Sequence, residues 1–205
     1  MLKGKFIVFE GGDKSGKTTQ IKLLKEYLKK NGHIVFLTRE PGGTSSIIAE
    51  KIRSIILDKD HKEMHARTEL LLFLASRAQH VEEIIKPAIE EGKIVLSDRF
   101  DGSTFAYQGV ARKLNLKEIR KINNWAKDNI KPDLVIYIDI SPEEAKKRKR
   151  NEKYDRLDRE EKLFHEDVRK GFLRQVEDNN NWKMVKGVGK VDNISRNIQK
   201  IIEKL

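Results

Sequence analysis

One run of residues limits what this chain can fold into more than any other feature: Gly11-Gly12-Asp13-Lys14-Ser15-Gly16-Lys17-Thr18. It satisfies G-x-x-x-x-G-K-[ST] in the context that the pattern requires. Lys5-Phe6-Ile7-Val8-Phe9-Glu10 reads as a strand before it. Lys17 to Lys30 reads as a helix after it, with Ile21, Leu24 and Leu28 on one face and Lys22, Lys25 and Lys29 outside. Glycines let the backbone turn tightly and aim its N–H groups inward, so a nest of donors forms at a helix N-terminus. Lys17 is then expected to reach the β- and γ-phosphates of a nucleoside triphosphate, and the Thr18 hydroxyl to ligate Mg²⁺. Gly11 to Thr18, continued by Thr19, form the expected ATP cradle. A chance match in a glycine-rich turn would not supply strand, Lys, Thr and helix together.

The rest of the chain alternates short β-branched runs with longer helical patterns. Ile34 to Thr38, Ile94 to Ser97, Leu134 to Ile140 and Trp182 to Val185 read as further strands. Thr44 and Ser45 are placed to cap a helix running to about Leu57. A long helical stretch, His65 to Glu91, contains Pro87, which predicts a kink or a division. Asn115 caps a helix through Ile119, Ile122 and Trp125. Ser141-Pro142-Glu143-Glu144 is a helix start with a capping box. Asp192 is placed to cap a last helix of Ile194, Ile198, Ile201 and Ile202. Strands separated by helices predict an α/β fold, a doubly wound five-stranded parallel sheet of the P-loop NTPase kind, in one domain over residues 1–205.

Composition excludes several chemistries. There is no Cys, which removes disulfides, thiolate metal sites and a cysteine nucleophile, and suits a reducing compartment. Met1 to Lys5 offer no apolar h-region, so no signal peptide is expected. Leu70 to Ala75 and Leu134 to Ile138, the longest apolar runs, fall far short of the ~20 residues that span a bilayer. The expectation is a cytoplasmic protein without a membrane partner. Lys plus Arg is 43 against 32 for Asp plus Glu, a net charge of +11 that calls for an anionic partner. A nucleotide, a nucleic acid and an anionic surface all satisfy that demand, so charge alone does not choose. His61 and His65 stand four apart, but the run is not H-E-x-x-H and no third ligand is near; it reads as a surface helix start.

Three further segments do choose. Thr38-Arg39-Glu40-Pro41-Gly42-Gly43-Thr44 follows the second strand. Phe73-Leu74-Ala75-Ser76-Arg77-Ala78-Gln79 lies within the long helix, and Ser97-Asp98-Arg99-Phe100 precedes Ala106-Tyr107-Gln108-Gly109. In this order behind Phe9-Glu10-Gly11 and the cradle, they make the chain resemble the thymidylate kinase family from Lys5 to the C-terminus. The cradle, Arg39 and Asp98-Arg99 each follow a strand. They should therefore converge at the C-terminal edge of the sheet, where ligands of open parallel sheets gather.

The resemblance implies transfer of a phosphoryl group from ATP to dTMP, with Mg²⁺, in a homodimer, and with no nucleic-acid partner. It gives Asp98 the support of Mg²⁺ and Arg99 the acceptor phosphate, with Arg39 among the substrate-binding residues. Asp13 would hydrogen-bond the 3′-hydroxyl, Phe73 would stack on thymine, and Arg77 would donate to its O4. Pro41 would line the methyl pocket, Thr104 and Gln108 the N3 edge, and Tyr107 would crowd the 2′ position. By their own patterns Phe73 reads as core, Arg77 as a solvated helix residue and Tyr107 as packing. Asp139, ending another apolar strand, rivals Asp98 as the acid that supports the metal; Arg99 beside Asp98 favours the latter. The basic segment from about residue 146 to 161 corresponds to a helical lid. Lys14 in the cradle and Arg148, Arg150 and Arg156 in or near the lid are the candidates to neutralise the moving phosphoryl group, with Arg150 and Arg156 the leading lid candidates. The apolar helix faces around Leu70 to Ile85 are the expected dimer contact. A kinase for another monophosphate and a basic P-loop ATPase that binds nucleic acid are the alternatives.

Overall fold

The computed structural model describes residues 4–148 and 155–205. Its elements run β1 (Phe6–Glu10), α1 (Lys17–Lys30), β2 (Val35–Arg39), α2 (Ile47–Leu57), α3 (Ala66–His80), a π-helical turn (Val81–Ile85) and α4 (Lys86–Glu90). There follow β3 (Ile94–Asp98), α5 (Asp101–Thr104), a second π-helical turn (Phe105–Ala111), α6 (Leu116–Ala126) and β4 (Leu134–Asp139). The chain ends with α7 (Pro142–Arg148), α8 (Lys162–Asp178), β5 (Trp182–Lys186) and α9 (Val191–Ile202). All strand pairs are parallel and the sheet order is β2-β3-β1-β4-β5. The expected strands are all present, with ends shifted by one residue.

Parallel strands covered on both faces need apolar side chains on both, and β1 is buried throughout. Ile7 and Phe9 face a core with Ile21, Leu24 and Leu28 of α1 and Ile194, Ile198 and Ile202 of α9. Phe6 and Val8 face the opposite core, with Val81, Ile85, Phe100, Tyr107 and Phe172. In that second core α8 presses on the π-helical turn after α5; a Cβ on Gly171 would stand 2.8 Å from the Ala106 Cα, so only glycine permits the approach. Among the described residues no helix is long and apolar enough to cross a membrane.

Several local expectations need correction. The cap of α2 is Ser46, whose Oγ accepts from Ala49 N at 3.3 Å, rather than Thr44 or Ser45. The cap position of α9 is Lys190, and Asp192 lies in its first turn. The long helical stretch is divided, as expected: a π-helical turn (Val81–Ile85) separates α3 from α4, and Pro87 stands in the first turn of α4, where its missing N–H is tolerated. The apolar face expected around Leu70 to Ile85 is not free: Leu70, Leu74, Val81 and Ile85 are buried inside the chain itself. On these two neighbouring helices the large apolar residues that face outward are Leu71 of α3 and Ile47, Ile48 and Ile55 of α2. Phe172 is fully buried and stacks on Tyr137 with ring centroids 5.2 Å apart. Phe172→Ala should lower the unfolding free energy by ~3–5 kcal/mol, read from urea midpoints at constant m. A loss under ~1 kcal/mol would contradict this packing.

Candidate active site

The turn after β1 is tight because its glycines allow it. At Gly11 (φ 144°) an added Cβ would lie 2.6 Å from the Ile138 carbonyl oxygen. Lys17 opens α1 and folds back so that its Nζ donates to the carbonyls of Gly11 at 3.0 Å and Gly12 at 2.9 Å. Burial, then repulsion from Arg99, lowers the Lys17 pKa from its ordinary 10.5, while Asp98, Asp13 and Glu10 pull the other way. The Thr18 hydroxyl donates to Asp98 Oδ2 at 3.0 Å, so two hard oxygens stand together at the mouth of the turn. Among the described residues no cluster of three or more His, Cys, Asp or Glu could hold an ion. The pair suits Mg²⁺, which takes one or two protein oxygens when phosphates supply others.

Asp98 and Arg99 leave the end of β3 beside the cradle. Arg99, in the left-handed region at φ 72°, donates through Nη1 to Gly11 O at 2.8 Å and Ser103 Oγ at 3.0 Å. Its Nη2 pairs with Asp13 Oδ1 at 2.7 Å. Its guanidinium also lies 5.4 Å from the ring centroid of Tyr107. Beneath this group is Glu10, fully buried. Its Oε1 accepts from the backbone N–H of Phe100 and of Ser103, both at 3.0 Å, and its Oε2 accepts from Ser103 Oγ at 2.6 Å.

Beyond Arg99 lies the turn after β2, which contains a cis Glu40–Pro41 peptide. Side chains of α3 hold it. Arg77 Nε donates to Glu40 Oε2 at 2.9 Å, His80 Nδ1 lies 3.1 Å from Glu40 Oε1, and Ser76 Oγ accepts from Gly42 N at 3.0 Å. Arg77 is 1% exposed, not solvated. Its Nη1 donates to Thr104 Oγ1 at 2.9 Å and Asn123 Oδ1 at 2.7 Å, and its Nη2 reaches Phe100 O at 3.1 Å and Glu40 Oε2 at 2.8 Å. Four hydrogen bonds and the ion pair with Glu40 thus hold this guanidinium, so a base carbonyl at this arginine must compete with acceptors already in place. Arg39 donates from Nη2 to both carboxylate oxygens of Glu50, at 3.0 and 2.9 Å.

Cradle and base side open into one cavity of about 650 Å³. Asp13, Lys14, Ser15, Gly16, Lys17, Thr18, Thr19 and Asp98 line one part of it. Arg39, Pro41, Phe73, Arg77, Arg99, Thr104, Tyr107 and Gln108 line the other. Gly11 and Gly12 are not in this lining, but their carbonyls hold Lys17. Arg156 is not brought to the cradle: it is buried, with Nε on Ile56 O at 3.0 Å and Nη1 on Glu69 Oε2 at 2.7 Å. Arg150 lies outside the described residues. Arg148 is at the cavity, spanning Lys14 O at 3.2 Å and Gly187 O at 2.9 Å. Asp139 is tied to Arg169 by two bonds of 2.8 Å, whereas Asp98 meets Thr18. His61 Nδ1 lies 3.0 Å from Ile55 O, and His65 Nδ1 accepts from Arg67 N at 3.2 Å, capping α3.

Sequence reasoning missed Arg53, which lines the cavity and donates to Pro41 O at 2.7 Å. Burial, then repulsion from Arg39, lowers its pKa. The signal was there: Arg53 shares the inward face of α2 with the buried Ala49 and Ile56, where a cation is otherwise out of place.

Comparison with known proteins agrees with this geometry. The family model described as "Thymidylate kinase" matches residues 9–198. The chain is similar to the thymidylate kinase of Thermoanaerobacter sp. (strain X514), 48% identical over 204 residues that cover 99% of each chain. It is similar to that of Thermosipho africanus (strain TCF52B), 47% identical over 97% of this chain and 98% of the relative. The thymidylate kinase of Geobacillus sp. (strain WCH70) is 52% identical over 86% of this chain and 84% of its own.

The buried carboxyl of Glu10 yields a test. Burial pushes it from 4.5 up to about 7, against the opposing effects of Arg99 and its hydrogen bonds. The folded protein therefore binds this proton more tightly than the unfolded chain does. Its contribution to stability is complete below about pH 4.5 and lost as the pH rises to about 7. Glu10→Gln has no proton to lose. Relative to wild type, its unfolding free energy should gain on the order of 3 kcal/mol between pH 4.5 and 7.5 in urea titrations. A difference that stays constant over this range would contradict the assignment.

Proposed function

The chain belongs to the thymidylate kinase family, and on that premise we propose that it transfers the γ-phosphoryl group of ATP to dTMP, releasing ADP and dTDP. The observation that carries this reading is the single cavity that joins the phosphate cradle to a pocket walled by Phe73, Arg77 and Gln108. Such a cavity takes two nucleotides with their phosphates facing each other.

The donor triphosphate lies in the turn from Gly11 to Thr19. Its oxygens replace the carbonyls that Lys17 now contacts, so the ammonium moves from loop to ligand without leaving a buried charge unpaired. Thr18 and Asp98 are the residues that would hold Mg²⁺, which when bound neutralises phosphate charge. The phosphate of dTMP is met by Arg99, Arg39 and Arg53. Its second pKa is ~6, so the attacking oxygen is already largely anionic near neutral pH and needs no general base. Rate acceleration then comes from alignment and from cations that gain most as charge spreads over the moving group.

Phe73 stacks on the base, Pro41 borders its methyl group, Thr104 and Gln108 meet its N3 edge, and Arg77 faces O4. Asp13 takes the 3′-hydroxyl, and Tyr107 excludes a 2′-hydroxyl. The segment from residue 146 to 161 acts as the lid. Arg148, already bridging the cradle and the loop after β5, supports that role. Lys14 and Arg150 share the task of neutralising the transferred group; Arg156, paired with Glu69, is assigned to anchoring the lid instead. The cysteine-free composition supports a cytoplasmic setting. Ile47, Ile48, Ile55 and Leu71, exposed on α2 and α3, support a homodimer, which sedimentation velocity would detect.

A coupled assay of ADP release over dTMP, dUMP, dCMP, dGMP and single-stranded DNA tests the function. Turnover confined to dTMP, with dUMP far weaker, is the expected result. Hydrolysis that nucleic acid stimulates and no monophosphate does would overturn it.

A further inference from the structure

Glu69 is fully buried on α3 and lines neither the cradle nor the base pocket. Its Oε1 accepts from Gln108 Nε2 at 2.7 Å. Its Oε2 takes Arg156 Nη1 at 2.7 Å and Arg112 Nη2 at 3.2 Å, and Arg112 continues to Glu160. With two guanidinium groups on it, this carboxylate is an acceptor only.

That fact constrains Gln108. A primary amide has two ends of nearly equal shape, one that donates and one that accepts, and its neighbours decide which way it turns. Against an acceptor-only carboxylate, Gln108 must give its NH₂ to Glu69. Its carbonyl Oε1 has no protein partner among the described residues. Nor is that oxygen one of the sealed polar atoms left without a partner, and Gln108 lines the cavity. The carbonyl therefore opens on the base pocket.

We propose that Glu69 is a positioning residue that sets base selectivity. By fixing the amide of Gln108 with its carbonyl toward the pocket, it makes the site accept from a pyrimidine with a hydrogen on N3 and oppose one whose N3 is a bare acceptor. Thymine has that hydrogen and cytosine lacks it. The inference rests on the reading of dTMP as acceptor. It adds a residue outside the pocket that decides the polarity of one wall, since a site left facing the wrong hydrogen-bonding group rejects its ligand strongly.

The test compares kcat/KM for dTMP and 5-methyl-dCMP, which differ only along the N3 and C4 edge. In Glu69→Gln the neighbour both donates and accepts, so Gln108 is no longer fixed. The preference for dTMP should fall about tenfold, the worth of one hydrogen bond. Gln108→Met should lower the preference as well, and adding Glu69→Gln to it should change the ratio no further. If Glu69 merely braced Arg112 and Arg156, both substrates would lose equally and the two substitutions would add; that result overturns the proposal.

A wild-type enzyme indifferent to the two bases overturns the substrate reading and the selectivity with it. A preference that Glu69→Gln leaves intact overturns only the role of Glu69. Should Glu69→Gln fail to fold, the wild-type protein still decides by NMR. The side-chain NH₂ protons of Gln108, held on buried Glu69, should exchange slowly with solvent before dTMP is added as well as after. NH₂ protons that exchange fast until dTMP protects them would mean the amide faces the other way.

Discussion

The site depends on one pairing register. Strands β1 and β3 run parallel with Phe9 opposite Asp98, and Arg99 N donates to Phe9 O at 2.8 Å. That alignment brings the end of β3 beside the turn that β1 enters, so Asp98 meets Thr18 and Arg99 meets Gly11 and Asp13. A slip of one residue would turn every side chain of β3 over. Asp98 would then leave the cradle, and the core residues Val95 and Leu96 would exchange faces. The packing of both cores thus enforces the geometry of the chemistry.

The cations of the cavity are held by acceptors that a nucleotide can displace or share. Lys17 rests on two carbonyls, Arg99 on a carbonyl, a hydroxyl and Asp13, and Arg39 on Glu50. Unpaired buried charge is costly, so such partners keep the site folded without a ligand. They also orient each donor toward the cavity in advance, which reduces what binding must order. Arg77 differs: held by four hydrogen bonds, it is a wall of the base pocket more than a mobile clamp. Glu69 extends the same logic outward, since a carboxylate out of reach of the base dictates which end of Gln108 the base can meet.

The strands and the cradle were legible because each carries a local signal: a continuous apolar run, or glycines followed by Lys and Thr. The segments around Arg39, Arg77 and Asp98-Arg99 were legible by resemblance, and the cavity gathers them. What escaped depends on distant partners. Helix α8 was overlooked because charged residues are scattered through it, although Phe164, Val168, Phe172 and Val176 repeat every four residues along its inner face. The π-helical turns carry no sequence pattern of their own. Arg156 was read as a lid cation from its basic neighbours, yet buried Glu69, far earlier in the chain, claims it. Spacing alone reveals no such pair.

The central claim is that two nucleotides meet across the end of β3 with their phosphates between them. Calorimetry with adenosine and thymidine joined through five phosphates tests it most directly. The account predicts one molecule bound per chain, more tightly than ATP or dTMP alone, and displaced by either. An analogue no tighter than its better half, or one that dTMP fails to displace, would contradict it.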